Sequence, residues 1–322
     1  MFYRSDPIFT HFTQTTRQRL FVTPEIVSGS LNNGSTIEVA WGDGFEIEKL
    51  QALKNTKTVL LTNVLIDNPG PNVHISDPSY YGYMHCEYNV DSTTPVTHNF
   101  NCFINRYDVT RQSWLYQLIR RKYFDSGHVS FKSEVGVGRI PSSDFAGLTP
   151  EQAFEHGFQK FHQIFAKEHA IIKNQIPLCT FKDTGDLTNL VLSAKFSLIL
   201  ETWFHDNRLI TFSEKIMRGL QLPRPWIIFS TQHAVKQLRT WGFDVLDDIV
   251  DHSYDVIADP IQRQIKMLDI MESMMDLNIP SVTNRCMQAS KHNQSILKTW
   301  HENWAVNMDR DLEIARQKAL AL

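Results

Sequence analysis

The chain has 322 residues, of which 42% are hydrophobic and 21% are charged, and its formal net charge at pH 7 is -3. This composition is typical of a globular protein with a sizeable core, and the length predicts two domains or one large domain. The net charge argues against a protein held on nucleic acid by a strong overall basic field, but it is compatible with a local basic groove.

Alternating strands and helices are predicted along most of the chain. Before residue 97, apolar runs at 35–41 and 56–66 end in the turn signals "GDG" and "DNPGPN", and 46–54 has helical spacing. After residue 97, short apolar strands alternate with helical stretches, which implies parallel βαβ units. These strands are predicted at 98–105, 127–131, 195–204 and 226–230, and the helices at 111–124, 149–172, 213–221 and 233–242. From about residue 260 onward the pattern is helical.

The sequence also predicts a compartment. No window approaches the roughly 20 apolar residues that span a bilayer. The start, "MFYRSDPIFTHFTQ", lacks an apolar core with a small-residue cleavage site. The four cysteines are far apart and have no CxxC or zinc-ligand spacing. We therefore expect a cytoplasmic protein with reduced thiols, no membrane partner and no metal site.

Charged and polar residues stand at the ends of three apolar segments in the second part of the chain, "NCFIN" at 101–105, "FSLILE" at 196–201 and "RLIT" at 208–211. In open α/β sheets, ligands bind beyond the carboxyl ends of the strands, where a phosphate meets backbone N–H groups and the positive end of a helix dipole. The residues at these positions are Asn105 and Arg106 with Arg111 at the next helix start, then Glu201 and Thr202, and then Ser213, Glu214 and Lys215. This pattern predicts a site for a phosphate-bearing ligand.

Glu214 indicates what else that ligand contains. A carboxylate accepts two hydrogen bonds from the vicinal hydroxyls of a ribose. Lys215 and Arg111 would neutralise a diphosphate, and Arg218 lies one turn beyond Lys215 on the same helix face. Together these residues predict binding of a nucleotide diphosphate with a sugar attached.

Each feature has a structural alternative. "TFSE", from Thr211 to Glu214, fits a capping box, and Arg111 is also compatible with a solvated helix start. Glu201 follows apolar residues, where an unpaired carboxylate is costly to bury, but a strand-end cap has the same pattern. "KDTGD" at 182–186 has the spacing of a metal motif, although an Asx turn fits it better, and "IRRK" at 119–122 is a solvated helix face or a DNA contact.

Three segments, in this order and spacing, resemble known glycosyltransferases. "KFSLILETWFHDNRLITFSEKI" at 195–216 resembles the donor-binding segment of the α1,3-fucosyltransferase family, K-F-x-L-x-F-E-N, a loop and then Y-V-T-E-K. "RPWIIFSTQHAVKQL" at 224–238 resembles the strand and helix that follow it there. "NFNCFINRYDVTRQSWLYQLIRRKYFDSGHVSF" at 99–131 is similar to glycosyltransferases of tailed phages and cyanobacteria, with their F-x-x-L-N-R-x-x-x-x-R pattern. The resemblance covers roughly residues 97–260.

The resemblance implies an α/β fold of two Rossmann-like domains, of the GT-B type, with a helical C-terminal extension. The implied domains are an acceptor-binding domain at 1–96, a nucleotide-sugar-binding domain at 97–285, and helices at 286–322 that pack back on the first domain. It assigns Arg111 and Lys215 to the donor phosphates, Glu214 to the ribose and Glu201 to the F-E-N element, and we predict a catalytic role for Glu201. Thr202 and Ser230 replace the family's Asn and Gly, so a fucosyl donor is not implied.

The resemblance does not extend to the first 96 residues, which in this architecture hold the acceptor and the general base. A base needs a carboxylate or histidine within hydrogen-bond reach of the acceptor hydroxyl. Asp43, in the "WGDG" turn, is the first candidate, and the alternatives are Asp67, Asp77, His85 and Glu87.

The function implied is metal-independent transfer of a sugar from a UDP- or GDP-type donor to a hydroxyl. The similarity to phage enzymes suggests hydroxymethylated pyrimidines in phage DNA as the acceptor, and host cytoplasm as the location; a saccharide or small molecule is the rival acceptor. A non-catalytic nucleotide-binding module of the same fold is a further alternative. A phosphoryl-transfer enzyme is disfavoured because the sequence has no GxxxxGK[ST]. Nothing in the sequence indicates an oligomeric state.

Overall fold

The computed structural model describes residues 38–41, 58–86, 88, 94–104, 111, 114, 117–118, 121–131, 184–201 and 207–321. Within this part the protein is a mixed α/β fold with parallel sheets and a C-terminal helix, which confirms the fold class at that level. The chain divides into two compact units. The first is Met1–Glu87, Arg208–Met217 and Asn293–Leu322, and the second is Tyr88–Asn207 and Arg218–His292.

The strands predicted at 98–105, 127–131 and 226–230 and the helices predicted at 213–221 and 233–242 are present with small differences at their ends, whereas the strand predicted at 195–204 ends at Leu200 and the helix at 184–192 was not predicted. The strands are β1 (Glu38–Trp41), β2 (Thr58–Thr62), β3 (Leu65–Ile66), β4 (Val73–Ile75), β5 (His98–Ile104), β6 (Gly127–Phe131), β7 (Ala194–Leu200), β8 (Leu209–Ile210) and β9 (Trp226–Phe229). The helices are α1 (Thr184–Leu192), α2 (Glu214–Gln221), α3 (Ala234–Thr240), α4 (Pro260–Met275) and α5 (Ile279–Ala321), with 3-10 turns at Pro78–Met84, Phe124–Ser126 and Ser253–Val256. The helices predicted at 46–54 and 149–172 lie outside the described residues. None of the described helices is long and apolar enough to cross a membrane.

The first unit contains a parallel sheet in the order β1–β2–β4. Its strands bury apolar, mostly β-branched side chains that suit a pleated surface, such as Val59 and Val73. The single strand predicted at 56–66 is wrong, because β3 leaves this sheet and pairs antiparallel with β8. Thr62 Oγ1 accepts the Val64 N–H at 3.1 Å, a local bond that competes with the ladder where β2 ends.

The C-terminal part of α5 belongs to the first unit and is held there by polar side chains. Asp311 places Oδ1 3.0 Å from His74 Nε2 and accepts the Asp77 N–H with Oδ2 at 2.8 Å. Asn307 donates to Ser79 Oγ at 2.7 Å. These bonds connect the end of the chain to β4 and to the turn that follows it.

The second unit is built on a parallel sheet in the order β6–β5–β7–β9. Nearly all side chains of β7 and β9 are buried, as expected for strands of a parallel sheet that is covered on both faces. On one face, Gly219 of α2 lies so close to β7 that an added Cβ would stand 2.7 Å from Ile199 Cδ1. At the amino end of β7, the buried Arg224 donates to the carbonyls of Leu192 and Ala194 at 2.8–3.2 Å, which fixes the α1–β7 turn.

Candidate functional site

The carboxyl ends of β7 and β9 lie side by side in the second unit. Leu200 and Phe229 are the last paired residues of the two strands, and the Glu201 N–H donates to the Phe229 carbonyl at 2.9 Å. Glu201 and Ser230 are therefore neighbours one position beyond the paired strands. Glu201 is only 2% exposed, so a carboxylate stands in the interior where the two strands end. This is the edge of a parallel sheet at which ligands bind in α/β proteins.

Two buried hydroxyl groups follow β9 at the same edge. Ser230 and Thr231 are each 1% exposed, and among the described residues neither side-chain oxygen has a hydrogen-bond partner. A buried hydroxyl without a partner costs about 1–3 kcal/mol, and such groups are few in folded proteins. From the sequence, Ser230 was noted only as a departure from the family pattern, and Thr231 was not singled out. The available signal was two hydroxyl residues directly after an apolar strand.

Arg111 is buried in the second unit, with an exposure of 1%. Burial raises the pKa of the Cys102 thiol on β5 to about 12, and the Arg111 guanidinium opposes that rise, so its charge acts on the interior of the sheet. Trp114, three residues later, packs edge-to-face on Phe229 with ring centroids 5.2 Å apart. The interpretation of Arg111 as a solvated helix start is therefore wrong, because this residue belongs to the core beside β5 and β9.

The start of α3, which follows β9, is already occupied by an acidic side chain. The Asp255 carboxylate accepts the N–H groups of Val235 and Lys236, both at 2.9 Å. A ligand phosphate would compete with this carboxylate at these amides. The unpartnered hydroxyls of Ser230 and Thr231 therefore suit a neutral, hydroxyl-bearing part of a ligand better than a phosphate.

The Ser213–Glu214–Lys215 segment forms the start of α2 and belongs to the first unit. Ser213 Oγ accepts the Lys215 N–H at 3.3 Å, so Ser213 is the N-cap and the capping box predicted from Thr211 is wrong in register. Lys215 Nζ lies 3.1 Å from Glu214 Oε1 and 3.4 Å from Ser213 Oγ. Arg218 follows one turn later on α2 and is part-buried.

Two of the alternative candidates for the general base, Asp77 and His85, have structural contacts in the first unit. Asp77 accepts the Ser79 N–H at 2.9 Å, which caps the Pro78–Met84 turn, and it pairs with Arg310 at 3.2 Å. Asp67 is exposed, and the His85 ring lies 5.9 Å from that of His301. His74 and Asp311 form a closer pair, which no sequence pattern predicts because these residues are far apart in the chain.

Several predicted site residues lie outside the described residues, namely Asp43, Glu87, Asn105, Arg106 and Thr202. The "KDTGD" segment is described only from Thr184, where α1 begins. Within the described part, no group of three or more His, Cys, Asp or Glu side chains is arranged to hold a metal ion.

Comparisons with protein-family models, with curated proteins and with solved structures found no match for this chain.

Proposed function

We propose that the protein is a glycosyltransferase of the GT-B type, which moves a sugar from a nucleotide-diphosphate sugar of the UDP or GDP type to a hydroxyl acceptor. The observation that carries the proposal is the polar edge of the second unit's sheet. There the Glu201 carboxylate and the unpartnered Ser230 and Thr231 hydroxyls follow two adjacent parallel strands. The presence of a parallel sheet in each of the two units supports an architecture of two Rossmann-like domains.

The chemistry assigns a role to each group. The acceptor oxygen forms a bond to the anomeric carbon, the bond from that carbon to the diphosphate breaks, and the acceptor proton passes to a base. Arg111 stabilises the charge that builds on the leaving diphosphate. Glu201, Ser230 and Thr231 bind hydroxyls of the donor. Asp43 remains the first candidate for the base, and the resemblance adds Asn105, Arg106, Thr202, Ser213, Glu214, Lys215 and Arg218 to the donor-binding residues.

The acceptor that we propose is a hydroxymethylated pyrimidine in phage DNA, which follows from the similarity to phage enzymes. Such a base must be extruded from the duplex or presented in a single strand before its hydroxyl is reached. The rival acceptor is a saccharide or a small molecule. Hydroxymethylated DNA and unmodified DNA are each incubated with the protein and with a donor that it binds. Mass spectrometry of the two products then separates these alternatives by the added mass of one sugar.

Donor binding is tested by the melting temperature of the full chain with UDP-, GDP- and CDP-sugars. A donor at one hundred times its Kd stabilises the folded state by about 2.7 kcal/mol, which shifts the melting temperature by several degrees. If no member of the panel produces a shift, the proposal is wrong. A shift without any release of nucleoside diphosphate in the presence of acceptors indicates a non-catalytic binding module instead.

The double substitution Ser230→Ala with Thr231→Val tests whether the polar edge of the second unit's sheet binds the donor. These substitutions remove hydroxyls that have no partner in the described part, so we expect stability equal to or above that of the wild type and a reduced donor shift. Ser290→Ala is the matched control, because Ser290 is also buried in the second unit but donates to the Gln221 carbonyl at 2.6 Å. The free energy of unfolding of Ser290→Ala should fall by about 1 kcal/mol, and the donor should raise its melting temperature as much as that of the wild type.

A further inference from the structure

The first unit has its own polar edge, where β2 and β4 end. Thr62 and Ile75 are the last paired residues of these strands, and the Ser76 N–H donates to the Thr62 carbonyl at 2.7 Å. Asn63 and Ser76 therefore stand next to each other, one position beyond the ladder, on strands that run about 4.8 Å apart. This position corresponds to that of Glu201 and Ser230 in the second unit, the carboxyl end of two adjacent parallel strands.

Both side chains are buried and have an atom without a partner. Asn63 is 7% exposed and Ser76 is 6% exposed. Within the described residues, Asn63 Oδ1 and Ser76 Oγ have no hydrogen-bond partner. Two such atoms on adjacent strands are unusual, because buried polar groups are normally satisfied by protein or by ordered water. They occur at the edge of a parallel sheet where ligands bind.

The Asn63 amide is fixed in one orientation. Its Nδ2 donates to Tyr81 Oη at 3.3 Å, and Tyr81 is only 1% exposed. The Tyr81 ring is packed edge-on against Phe212 and Tyr80, with centroid distances of 6.1 and 5.3 Å. The amide therefore has its donor side committed to Tyr81, which leaves Oδ1 as an acceptor in a preorganised position.

We propose that Asn63 and Ser76 form a second binding site, in the first unit, for a neutral ligand that carries hydroxyl groups. An alcohol has the chemistry that both atoms lack, because an O–H donates to Asn63 Oδ1 and an alcohol oxygen accepts from the Ser76 hydroxyl. The charged groups nearby argue against a phosphate ligand. Asp77, the next residue, is an anion, and the basic groups beside it, His74 and Arg310, are each bonded to an aspartate.

The identity of this ligand as the sugar acceptor rests on the proposed function, whereas alcohol binding does not. The probes are therefore simple alcohols tested on the full chain without any nucleotide sugar. 5-Hydroxymethylcytosine represents the modified pyrimidine, methyl glucoside represents a saccharide, and cytosine, which has no hydroxyl group, shows what the added hydroxymethyl group contributes. Binding is measured by saturation-transfer NMR and titration, which do not depend on activity.

Ser76→Ala and Ser79→Ala form a matched pair. Both serines are buried in the first unit, but Ser79 Oγ accepts from Asn307. We expect Ser76→Ala to weaken binding of the preferred alcohol at least tenfold with an unchanged or raised melting temperature. Ser79→Ala should lower the melting temperature and keep the affinity within twofold. A bridging water at Ser76, with no ligand role, would instead give Ser76→Ala a lowered melting temperature and unchanged affinity.

The proposal is overturned if neither alcohol binds, if Ser76→Ala binds as the wild type does, or if cytosine binds as well as 5-hydroxymethylcytosine and methyl glucoside does not bind. Preference for one alcohol identifies the source of the hydroxyl. Failure here is distinguishable from failure of the proposed function. Alcohol binding without any nucleotide-sugar shift contradicts only the glycosyltransferase proposal, and a nucleotide-sugar shift without alcohol binding contradicts only this site.

Discussion

The phenol oxygen of Tyr254 lies 3.0 Å from Nδ1 of His252, and both residues are buried in the second unit. His252 Nε2 lies 2.8 Å from the Val245 carbonyl, which only accepts, so the imidazole proton is on Nε2 and Nδ1 accepts from Tyr254. The same phenol oxygen accepts the Ile228 N–H at 3.1 Å. This chain of bonds closes the outer edge of β9 with a neutral histidine and a tyrosine.

Tyr254→Phe should lower the free energy of unfolding by about 1–3 kcal/mol, because it leaves the Ile228 N–H and His252 Nδ1 buried without their partner. Urea unfolding at pH 7.5, followed by far-UV circular dichroism, measures the loss. Tyr123→Phe is the control, since its phenol pairs with Glu272, whose side chain is 64% exposed. A solvated contact of this kind contributes about 0–1 kcal/mol. Equal losses of unfolding free energy in the two variants would show that the Tyr254 hydroxyl does not stabilise the edge of β9.

Stability should fall as the pH is lowered from 6.5 toward 5. Burial lowers the pKa of His252 below its ordinary value, so in this range the unfolded chain takes up a proton that the folded protein does not. That difference reduces the free energy of unfolding by at most about 1.4 kcal/mol per pH unit, and the contribution is fully present above pH 6.5. His128, whose pKa burial also lowers, acts in the same direction.

The measurement is urea unfolding of the wild type and His252→Gln at pH 7.5 and 5.5. The variant should be less stable at pH 7.5 but should lose less stability on acidification. Hydrogen bonds from Arg285 and Arg239 lower the pKa values of Asp244 and Asp247, so these carboxylates lose their contribution only when the pH falls well below 5. An identical acid-induced loss in both proteins would show that His252 is not the group responsible.

Local sequence patterns predicted most of the strands and helices described in the second unit, but of the residues of its polar edge only Glu201 was predicted as a site residue. The apolar run before Glu201 indicated a strand, and its end placed the carboxylate correctly at the sheet edge. What the sequence did not predict depends on distant partners. The break after β2 leaves Asn63 facing Tyr81, and His74 meets Asp311 of α5. No spacing rule connects residues that are brought together only by the tertiary fold.

Gly82→Ala should disrupt the packing of the C-terminal part of α5 within the first unit. An added Cβ at Gly82 would stand 2.3 Å from both the His301 nitrogen and the Trp300 carbonyl carbon, which are backbone atoms of a helix and have no room to move aside. Overpacking of this kind costs about 1–3 kcal/mol. The bond of His301 Nδ1 to the Gly82 carbonyl, at 3.2 Å, would also be lost.

Gly70→Ala provides the comparison in the same unit, because its Cβ would meet nothing within 4 Å. Its stability should stay within about 0.5 kcal/mol of the wild type. Proteolysis of the C-terminal helix, followed by mass spectrometry, should be faster in Gly82→Ala than in Gly70→Ala. If both variants resist protease equally and unfold at the wild-type urea concentration, α5 does not depend on this contact.

Lys215→Met tests whether the start of α2 binds the donor. The Lys215–Glu214 pair is partly exposed, with side-chain exposures of 16% and 30%, so its loss should cost less than about 1 kcal/mol of stability. The loss of a charge-assisted bond to a donor phosphate should weaken donor binding about tenfold or more. Lys236→Met, at an exposed position on α3, controls for the general effect of one positive charge and should leave the donor Kd within twofold. Isothermal titration with the donor found in the melting-temperature panel measures both variants. Wild-type affinity in Lys215→Met would show that this residue does not bind the donor, which would contradict the central assignment of the resemblance. Weaker donor binding in both lysine variants would instead indicate long-range electrostatic attraction, which higher salt would screen.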